Sequence, residues 1–341
     1  MKYKLLSVNN GPVQNIGDYI QALAASQFLP TIDGFINREE LDTYNDEESV
    51  VIMNGWFMHN PSKWPPSSKI KPLFISFHVN ESSKEKLLTN DGVNYLKSHE
   101  PIGCRDYHTV KTLTDAGINA YFSGCLTLTL GNTFSVDSHD GGYYFVDPMI
   151  PRSQDFISRC KDVASLFFHF KDVLDLSNRF QITSNKIRNL FLNARFYRCY
   201  TAIFEREIVM KGTYITQQSL YYGSQLKTDH DKLKEAERLV KLYANAQMVV
   251  TSRIHCALPC LGLSTPVCFV KKEDDSFISA CRFDGLLDLF NVVLCSDKQL
   301  KKNFETTGLL GRNNMLRNKD TWKDISSKLS NTCTAFVNSF K

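Results

Sequence analysis

Residues 1–130 alternate between short apolar runs and segments in which apolar residues recur every three or four positions. The segments 19–29, 82–98 and 106–118 show this recurrence, which predicts amphipathic helices. Because strands that alternate with helices form parallel sheets covered on both faces, we expect a Rossmann-like domain here. The apolar runs with the length of buried strands are 4–8, 49–54, 72–77, 101–105 and 120–124.

The same alternation resumes in the second half of the chain. Glycine, serine, asparagine and aspartate dominate residues 131–142, which predicts a linker. Residues 155–211 are expected to be mainly helical, and 229–246 have the apolar spacing of an amphipathic helix. We expect an α/β protein with two Rossmann-like domains, 1–135 and 136–341, that face each other across a central cleft. The final helix is a candidate for packing back on the first domain. Strand-like runs in this half are 143–147, 211–218, 247–252 and 265–270.

Size and composition favour a globular protein without a metal site or a membrane span. A chain of 341 residues is too long for one ordinary core, which agrees with two domains. The cysteines form no CxxC pair and the histidines no HExxH pattern, so we expect free buried thiols in a reducing compartment, and no metal. The sequence has neither an apolar run of about 18 residues nor a signal peptide. We therefore expect a cytoplasmic protein.

Ligands of open α/β sheets bind beyond the carboxyl ends of the strands, so the strand-to-helix loops are searched for chemistry. In the first loop, 9–20, Gly11 and Gly17 permit close approach to the backbone. Asn15 and Asp18 stand at the start of the next helix, whose free N–H groups bind anions or hydroxyls. Asp18 is either a general base in the cleft or an ordinary acid at a helix start.

Arg105 ends the predicted strand 101–105. Its guanidinium either projects into the cleft or pairs with an acid at the surface. His78 ends an earlier strand and has the same two interpretations, a ligand contact or a structural histidine.

The most specific loop has the sequence TSRIHCALPC, residues 251–260. Thr251 or Ser252 is predicted to cap the next helix, with Arg253 and His255 in its first turn. An anion there would meet free N–H groups, a hydroxyl and a guanidinium that binds two oxygens at once. His255, near a cation and a reacting ligand, would move a proton near neutral pH. A surface ion pair is the alternative for Arg253.

Two further cations follow on the same side of the second sheet. Lys271 stands directly after the strand-like run 265–270, and Arg282 lies in the segment CRFDGLLDLF. Charges after a strand are commonly solvated, so these two residues are either donor contacts or surface residues.

Three stretches resemble the polysaccharide pyruvyl transferase family: QNIGDYIQALAA, CRDYHTVKTLTDAGINAYFSGCLTLTL, and ANAQMVVTSRIHCALPCLGLSTPV followed by RFDGLLDL. The resemblance covers residues 9–290, and the AxxVVTSRxHxxxP block is its most specific part. It implies a GT-B-like fold with the acceptor on the first domain and the donor on the second. It also implies transfer of a pyruvyl group from phosphoenolpyruvate to two hydroxyls of one sugar, which forms a cyclic ketal during surface or extracellular glycan synthesis. The segment 155–211 departs from the family pattern, and so does Gly55-Trp56, where we expect the strand 49–54 to end in a loop.

The candidate residues suit that chemistry, because phosphoenolpyruvate carries a charge near −3 and needs several cations. Arg253 and His255 fall on the R-x-H motif of the family, so we expect Arg253 to bind the donor and His255 to move the proton. Asp18 is the expected catalytic base on the acceptor side. No cofactor or metal is implied beyond phosphoenolpyruvate as co-substrate. The resemblance assigns the donor side to Arg105, Ser252, Arg253, Lys271 and Arg282, and the acceptor side to Asn15, Gly17 and Asp18.

Two other functions remain open at this point. A GT-B nucleotide-sugar glycosyltransferase usually holds the donor ribose with a glutamate beyond the phosphate-binding helix. Here no acid follows Ser252 until Glu273, which favours a small anionic donor. A noncatalytic glycan-binding protein on the same fold is the second alternative, and it requires that the candidate residues do not converge.

The segment 179–211 holds seven lysines and arginines against two acids, a local balance of +5 that exceeds the +4 of the whole chain. An amphipathic helix with solvated arginines is one interpretation. The absence of a recognised motif argues against nucleic acid. The other interpretation is peripheral contact with anionic lipid at the inner face of a membrane, near a lipid-linked glycan acceptor, through Arg188, Arg195 and Arg198.

Overall fold

The computed structural model describes residues 1–8, 15–152, 155–217 and 226–341, which contain two six-stranded sheets. The first sheet has the order β2-β1-β3-β4-β5-β6, and all of its neighbouring strands run parallel. Its strands are β1 (Lys2–Ser7), β2 (Gly34–Asn37), β3 (Ser49–Phe57), β4 (Ile70–Val79), β5 (Ile102–Cys104) and β6 (Ala120–Phe122).

The second sheet has the order β12-β11-β10-β9-β7-β8, and in it only β12 runs antiparallel to its neighbour. Two sheets dominated by parallel strands confirm the α/β class with two Rossmann-like units. The strands of this sheet are β7 (Tyr143–Val146), β8 (Thr213–Ile215), β9 (Met248–Thr251), β10 (Val267–Lys272), β11 (Asn291–Cys295) and β12 (Leu300–Lys302).

Helices connect the strands and cover both faces of each sheet. Short 3-10 turns supplement them, among them Leu126–Thr129 and Cys281–Phe283. The α-helices are α1 (Ile16–Ser26), α2 (Lys84–Leu87), α3 (Asn90–Lys97), α4 (Tyr107–Asp115), α5 (Gly131–Phe134), α6 (Phe156–Phe168), α7 (Phe170–Arg179), α8 (Lys186–Tyr200), α9 (Arg206–Lys211), α10 (Asp229–Asn245), α11 (Ile254–Gly262), α12 (Phe277–Ala280) and α13 (Trp322–Asn338).

One hydrophobic core joins the two sheets. Side chains of α1 and β1 pack in it together with side chains of α10, α11 and β9. The hydroxyl of Tyr19 on α1 donates to Asp229 Oδ1 on α10 over 2.6 Å. Helix α11 approaches the first unit so closely that a Cβ atom on Gly262 would lie 2.4 Å from the carbonyl oxygen of Leu128, so a glycine is required there.

The last helix, α13, contacts the end of the first unit. Ser326 on α13 donates to the carbonyl oxygen of Leu128, and Asn132 donates to Ser330 on α13. A Cβ atom on Gly124 would lie 2.6 Å from Ile325 of this helix. The chain therefore returns to residues 124–132 after completing the second sheet.

Several elements differ from those predicted. The pattern missed β2, β11 and β12, which are short or lie near a sheet edge. The predicted linker 131–142 begins with α5 instead. By contrast, the break that Gly92 predicts in the helix 82–98 is confirmed, because residues 88–89 separate α2 from α3 and a Cβ atom on Gly92 would meet the carbonyl oxygen of Leu87. Strand β3 continues through Gly55 and Trp56, where a loop was expected.

Candidate active site

A cavity of about 360 Å³ lies where the carboxyl ends of both sheets meet. Residues after β1, β2, β3, β4 and β5 form one wall, and residues after β8, β9 and β10 form the other. Parallel sheets place their loops at this edge, so both units supply polar side chains to one space. The lining residues are Asn15, Asp18, Arg38, Trp56, His59, Asn80, Arg105, Gln217, Ser252, Arg253, Ile254, His255 and Arg282.

Arg253 is held at the cavity wall by Asp147, at the end of β7. Its Nε donates to Asp147 Oδ2 over 2.8 Å, and the same oxygen accepts from the backbone N–H of Gln217. This bond uses Nε alone, so the two terminal nitrogens of Arg253 are left to meet a ligand. Arg253 is thus both an ion pair, as one interpretation expected, and a cavity residue.

The helix after β9 begins one residue later than predicted. Arg253 has extended backbone angles and occupies the cap position of α11. Thr251 accepts a hydrogen bond from the backbone N–H of Arg253, whereas the hydroxyl of Ser252 donates to the carbonyl oxygen of Asp147 over 2.6 Å. Neither Thr251 nor Ser252 caps the helix, so that prediction was wrong, although Ser252 does line the cavity.

His255 is buried at the base of the cavity, and its Nε2 atom has no hydrogen-bond partner within the described residues. Burial lowers the pKa of this imidazole well below its usual value, and Arg105, Arg282 and Arg38 lower it further. His255 is therefore neutral at pH 7 in the empty site. A buried acceptor without a partner costs about 1–3 kcal/mol, which a ligand that donates to it would recover.

Arg105 is a buried cation on the cavity wall that the first unit forms, and neighbouring polar side chains form a hydrogen-bonded network next to it. Its Nε has no hydrogen-bond partner in the described part of the chain and lies 3.7 Å from Asp106 Oδ2. Asp106 in turn contacts His78 Nδ1 at 2.6 Å and accepts from Thr109 at the start of α4. Burial and the charge of Arg105 lower the pKa of His78 to about 4. His78 is thus a structural residue behind Arg105 and does not line the cavity.

Asp18 is the acid at the cavity wall on the side of the first unit. Burial raises its pKa above the usual value, while Arg38, His59 and Arg105 oppose that shift. Arg38 Nη1 lies 3.8 Å from Asp18 Oδ1, and Gln21 donates to the same oxygen. A carboxylate with a raised pKa beside a cavity is suited to accept a proton from a hydroxyl.

The start of α1 brings the acceptor-side candidates against the donor side. Asn15 caps α1 by accepting from the backbone N–H of Gly17 over 3.1 Å. A Cβ atom on Gly17 would lie 3.1 Å from Cβ and 3.4 Å from Nδ1 of His255. Gly17 therefore does not line the cavity, and its missing side chain lets α1 pack on His255. Gly11, the other glycine of this loop, lies outside the described residues.

The two remaining cations are placed differently. Arg282 lines the cavity, with its guanidinium 4.6 Å from the ring of Phe283. Lys271 does not line it: its Nζ donates to the carbonyl oxygen of Lys272 and pairs with Asp275 at 3.7 Å. Lys271 lies on β10 and pairs with Asp275. It is therefore not among the residues that the structure brings together at the cavity, although it was expected at the donor site.

Six lining residues were not predicted, and one of them is Ile254. Arg38 is the most consequential, because it is a buried cation that follows the unpredicted strand β2. Its guanidinium lies 5.5 Å from the ring of Trp56, whose centroid is 4.1 Å from that of the His59 ring at an interplanar angle of 51°. A strand prediction over 34–37 would have placed Arg38 at a carboxyl end. The other unpredicted lining residues are Trp56, His59, Asn80 and Gln217.

The cavity is suited to a small polyanion and to proton transfer. Arg38, Arg105, Arg253 and Arg282 surround a space in which Asp18 is the lining carboxylate, so an anion is favoured. Within the described ranges, no group of three or more histidine, cysteine or acidic residues is arranged to hold a metal ion. The same ranges contain no helix long and apolar enough to cross a bilayer.

Comparison with known proteins adds one finding. The sequence profile of the family described as polysaccharide pyruvyl transferase matches residues 15–271, which include the cavity residues of both sheets except Arg282. No curated protein matches the chain.

Proposed function

Because the chain belongs to the polysaccharide pyruvyl transferase family, we propose that it transfers a pyruvyl group from phosphoenolpyruvate to two hydroxyls of one sugar and forms a cyclic ketal. The acceptor is a sugar of a surface or extracellular glycan, free or lipid-linked.

The observation that carries this proposal is the convergence of four arginines and a buried histidine on one cavity. Phosphoenolpyruvate has a charge near −3 at neutral pH, and guanidinium groups bind carboxylate and phosphate oxygens in pairs. Among the described residues, Nε of Arg105 has no hydrogen-bond partner, and Arg253 binds Asp147 through Nε. We therefore assign the donor to Arg105, Arg253 and Arg282, on the side of the cavity that His255 closes.

The residues divide the proton transfers between the two sides of the cavity. Asp18 accepts the proton of the first sugar hydroxyl as its oxygen bonds to the central carbon of the donor. His255, protonated when the donor is bound, gives a proton to the methylene carbon. The second hydroxyl then displaces phosphate and closes the ring; its proton passes to the now neutral His255, and the proton held by Asp18 leaves with the phosphate. One donor and two hydroxyls thus yield one ketal and one phosphate.

Donor binding itself is expected to charge His255. Without the donor, burial lowers the pKa of the imidazole, and the three arginines near it lower that pKa further. A trianion bound among these arginines cancels much of their field and favours the imidazolium. The general acid would therefore be formed only after the donor is in place, which limits donor hydrolysis before the acceptor arrives.

Incubation with phosphoenolpyruvate and a panel of free and lipid-linked glycosides tests the proposal. We expect acceptor-dependent release of phosphate and a matching gain in glycan mass, both lost in the Asp18→Asn variant. A parallel panel of nucleotide sugars serves as the control for glycosyl transfer. Glycan-dependent release of a nucleotide, or no phosphate release with any acceptor, would contradict pyruvyl transfer.

A further inference from the structure

Helix α6 has its polar face buried and its apolar face exposed. Phe156, Val163 and Phe167 lie on one face of this helix, and all three are exposed. Phe156 exposes 81% of its surface, Phe167 77% and the adjacent Phe168 76%. The buried positions of the helix are instead all polar: Ser158, Asp162 and Ser165.

The buried polar face of α6 is satisfied by α8. Asp162 accepts from Arg195 at 2.7 Å and from Arg198 at 2.8 Å, and Ser165 donates to the carbonyl oxygen of Ala194. These bonds fix the orientation of α6. As a result, its phenylalanine side chains are exposed to solvent. The same bonds also engage two of the three arginines expected to meet lipid headgroups, which corrects that expectation for Arg195 and Arg198.

The exposed apolar surface extends over the neighbouring helices. On α7, Phe170 and Leu174 are exposed one turn apart, and on α8 Ile187 and Phe191 are exposed with the same spacing. We call this the aromatic face. Its members are Phe156, Ile157, Val163, Phe167, Phe168, Phe170, Leu174, Ile187 and Phe191.

The charge around the aromatic face is positive. Residues 155–200 contain eight lysines and arginines and four aspartates, a balance of +4. Each aspartate accepts hydrogen bonds from the chain: Asp155 caps α6, and Asp162, Asp172 and Asp175 bind arginines. The cations that remain exposed on the three helices include Lys161, Lys171, Lys186 and Arg188.

We propose that the aromatic face of α6, α7 and α8 docks this protein on an anionic phospholipid bilayer. Phenylalanine side chains would enter the boundary between headgroups and acyl chains, and the surrounding lysines would meet the headgroup phosphates. Charge complementarity selects this occupant, because exposed cations lie on the same three helices as the exposed apolar side chains, and the aspartates of residues 155–200 are all hydrogen-bonded within the chain. An interface between two copies would instead bring the same cations of both copies together.

The native Cys160 supplies a probe on this face. It lies on α6 between Phe156 and Val163, and it is the exposed one among the ten cysteines of the sequence, all of which the structure describes. A polarity-sensitive fluorophore on Cys160 should shift to the blue with vesicles of phosphatidylglycerol and phosphatidylcholine. Sedimentation of unlabelled protein with the same vesicles provides the independent measure, and vesicles of phosphatidylcholine alone should bind it at least about tenfold less tightly.

Two variants separate the apolar and the charged contributions. Phe156→Gln/Phe167→Gln/Phe168→Gln should lose vesicle binding by about tenfold or more. Lys161→Gln/Lys171→Gln/Lys186→Gln should weaken binding and flatten its salt dependence. Phe277→Gln is the matched control, since Phe277 is exposed by 64% but lies on α12, and it should bind like the wild type. Circular dichroism verifies that each variant is folded.

Equal sedimentation of the wild type and the triple phenylalanine variant would overturn the proposal. So would a dimer in analytical ultracentrifugation that the same variant abolishes and vesicles do not dissociate, because the face would then join two copies. Transfer to a water-soluble acceptor should be unchanged in this variant, so membrane docking and the proposed reaction fail or succeed separately.

Discussion

At the scale of single residues, Asp147 binds Arg253 through Nε. The groups that a substitution of Arg253 would remove from the cavity are therefore its terminal nitrogens. Lysine at 253 would keep the charge but lose the planar pair of terminal nitrogens. We expect Arg253→Lys to lower kcat/KM for phosphoenolpyruvate by about tenfold to a hundredfold, the loss of one charge-assisted hydrogen bond. Lys271→Gln is the control, since Lys271 does not line the cavity. Unchanged kcat/KM in Arg253→Lys would remove this arginine from donor binding.

A second prediction at this scale concerns the proton of His255. His255→Asn keeps a polar group of similar size but cannot titrate, so kcat should fall by about 10²–10⁴-fold with a smaller change in donor affinity. His99→Asn, away from the cavity, is the control. Equal losses in affinity and turnover would indicate an orienting role instead.

The pH dependence of the wild type tests the charging of His255 by the donor. The pKa of this imidazole is low in the free enzyme and should rise when the trianion binds. The profile of kcat/KM reports the free enzyme and that of kcat the complex. We therefore expect the limb assigned to His255 to lie at higher pH in kcat than in kcat/KM. Coincident limbs would contradict the electrostatic coupling.

At the scale of elements, the first turn of α1 is packed against His255. Gly17→Ala would place a methyl group 3.1 Å from His255 Cβ, and one of the two must move by a few tenths of an ångström. We expect kcat to fall by about tenfold while the protein remains folded. Gly142→Ala is the matched control, because its nearest neighbour would be 3.7 Å away. A wild-type kcat in Gly17→Ala would show that the position of the imidazole tolerates this shift.

The elements that carry the site were predictable to different degrees. Long periodic helices such as α10 and buried strands such as β9 have clear patterns. Because the end of β9 could be predicted, Arg253 and His255 could be identified as candidate site residues. Strand β2 has four residues and begins with a glycine, so neither its period nor its composition indicated it. Arg38 was missed for that reason, since its importance follows from the strand that precedes it.

At the scale of the whole molecule, the burial of a neutral histidine makes the free energy of unfolding depend on pH. His78 has a pKa of about 4 in the folded chain against about 6.5 when unfolded, so below pH 6.5 the unfolded chain binds the proton preferentially. The free energy of unfolding should fall by about 2 kcal/mol between pH 7 and pH 5 on account of His78. Urea unfolding at both pH values should show a smaller fall in His78→Asn. The same fall in both proteins would contradict this assignment.

The sequence could not show that the candidate residues converge on one cavity. The motif residues lie 237 positions apart, from Asp18 to His255, and only the arrangement of the two sheets places them around one cavity. Likewise, the basic balance of 179–211 was correct as a count, yet four of its five arginines pair with Asp162, Asp172 and Asp175, which lie upstream. Charge along a chain indicates a partner only after the folded pairing is known.

The core that joins the two sheets has a consequence for how the substrates enter. Swinging one unit about a hinge would pull α10 and α11 away from α1 and expose the apolar surface that they share. We therefore expect side chains at the rim of the cavity, such as Arg282, to move when the donor binds. The two units should not move relative to each other. The radius of gyration in solution should accordingly stay the same when phosphoenolpyruvate is added.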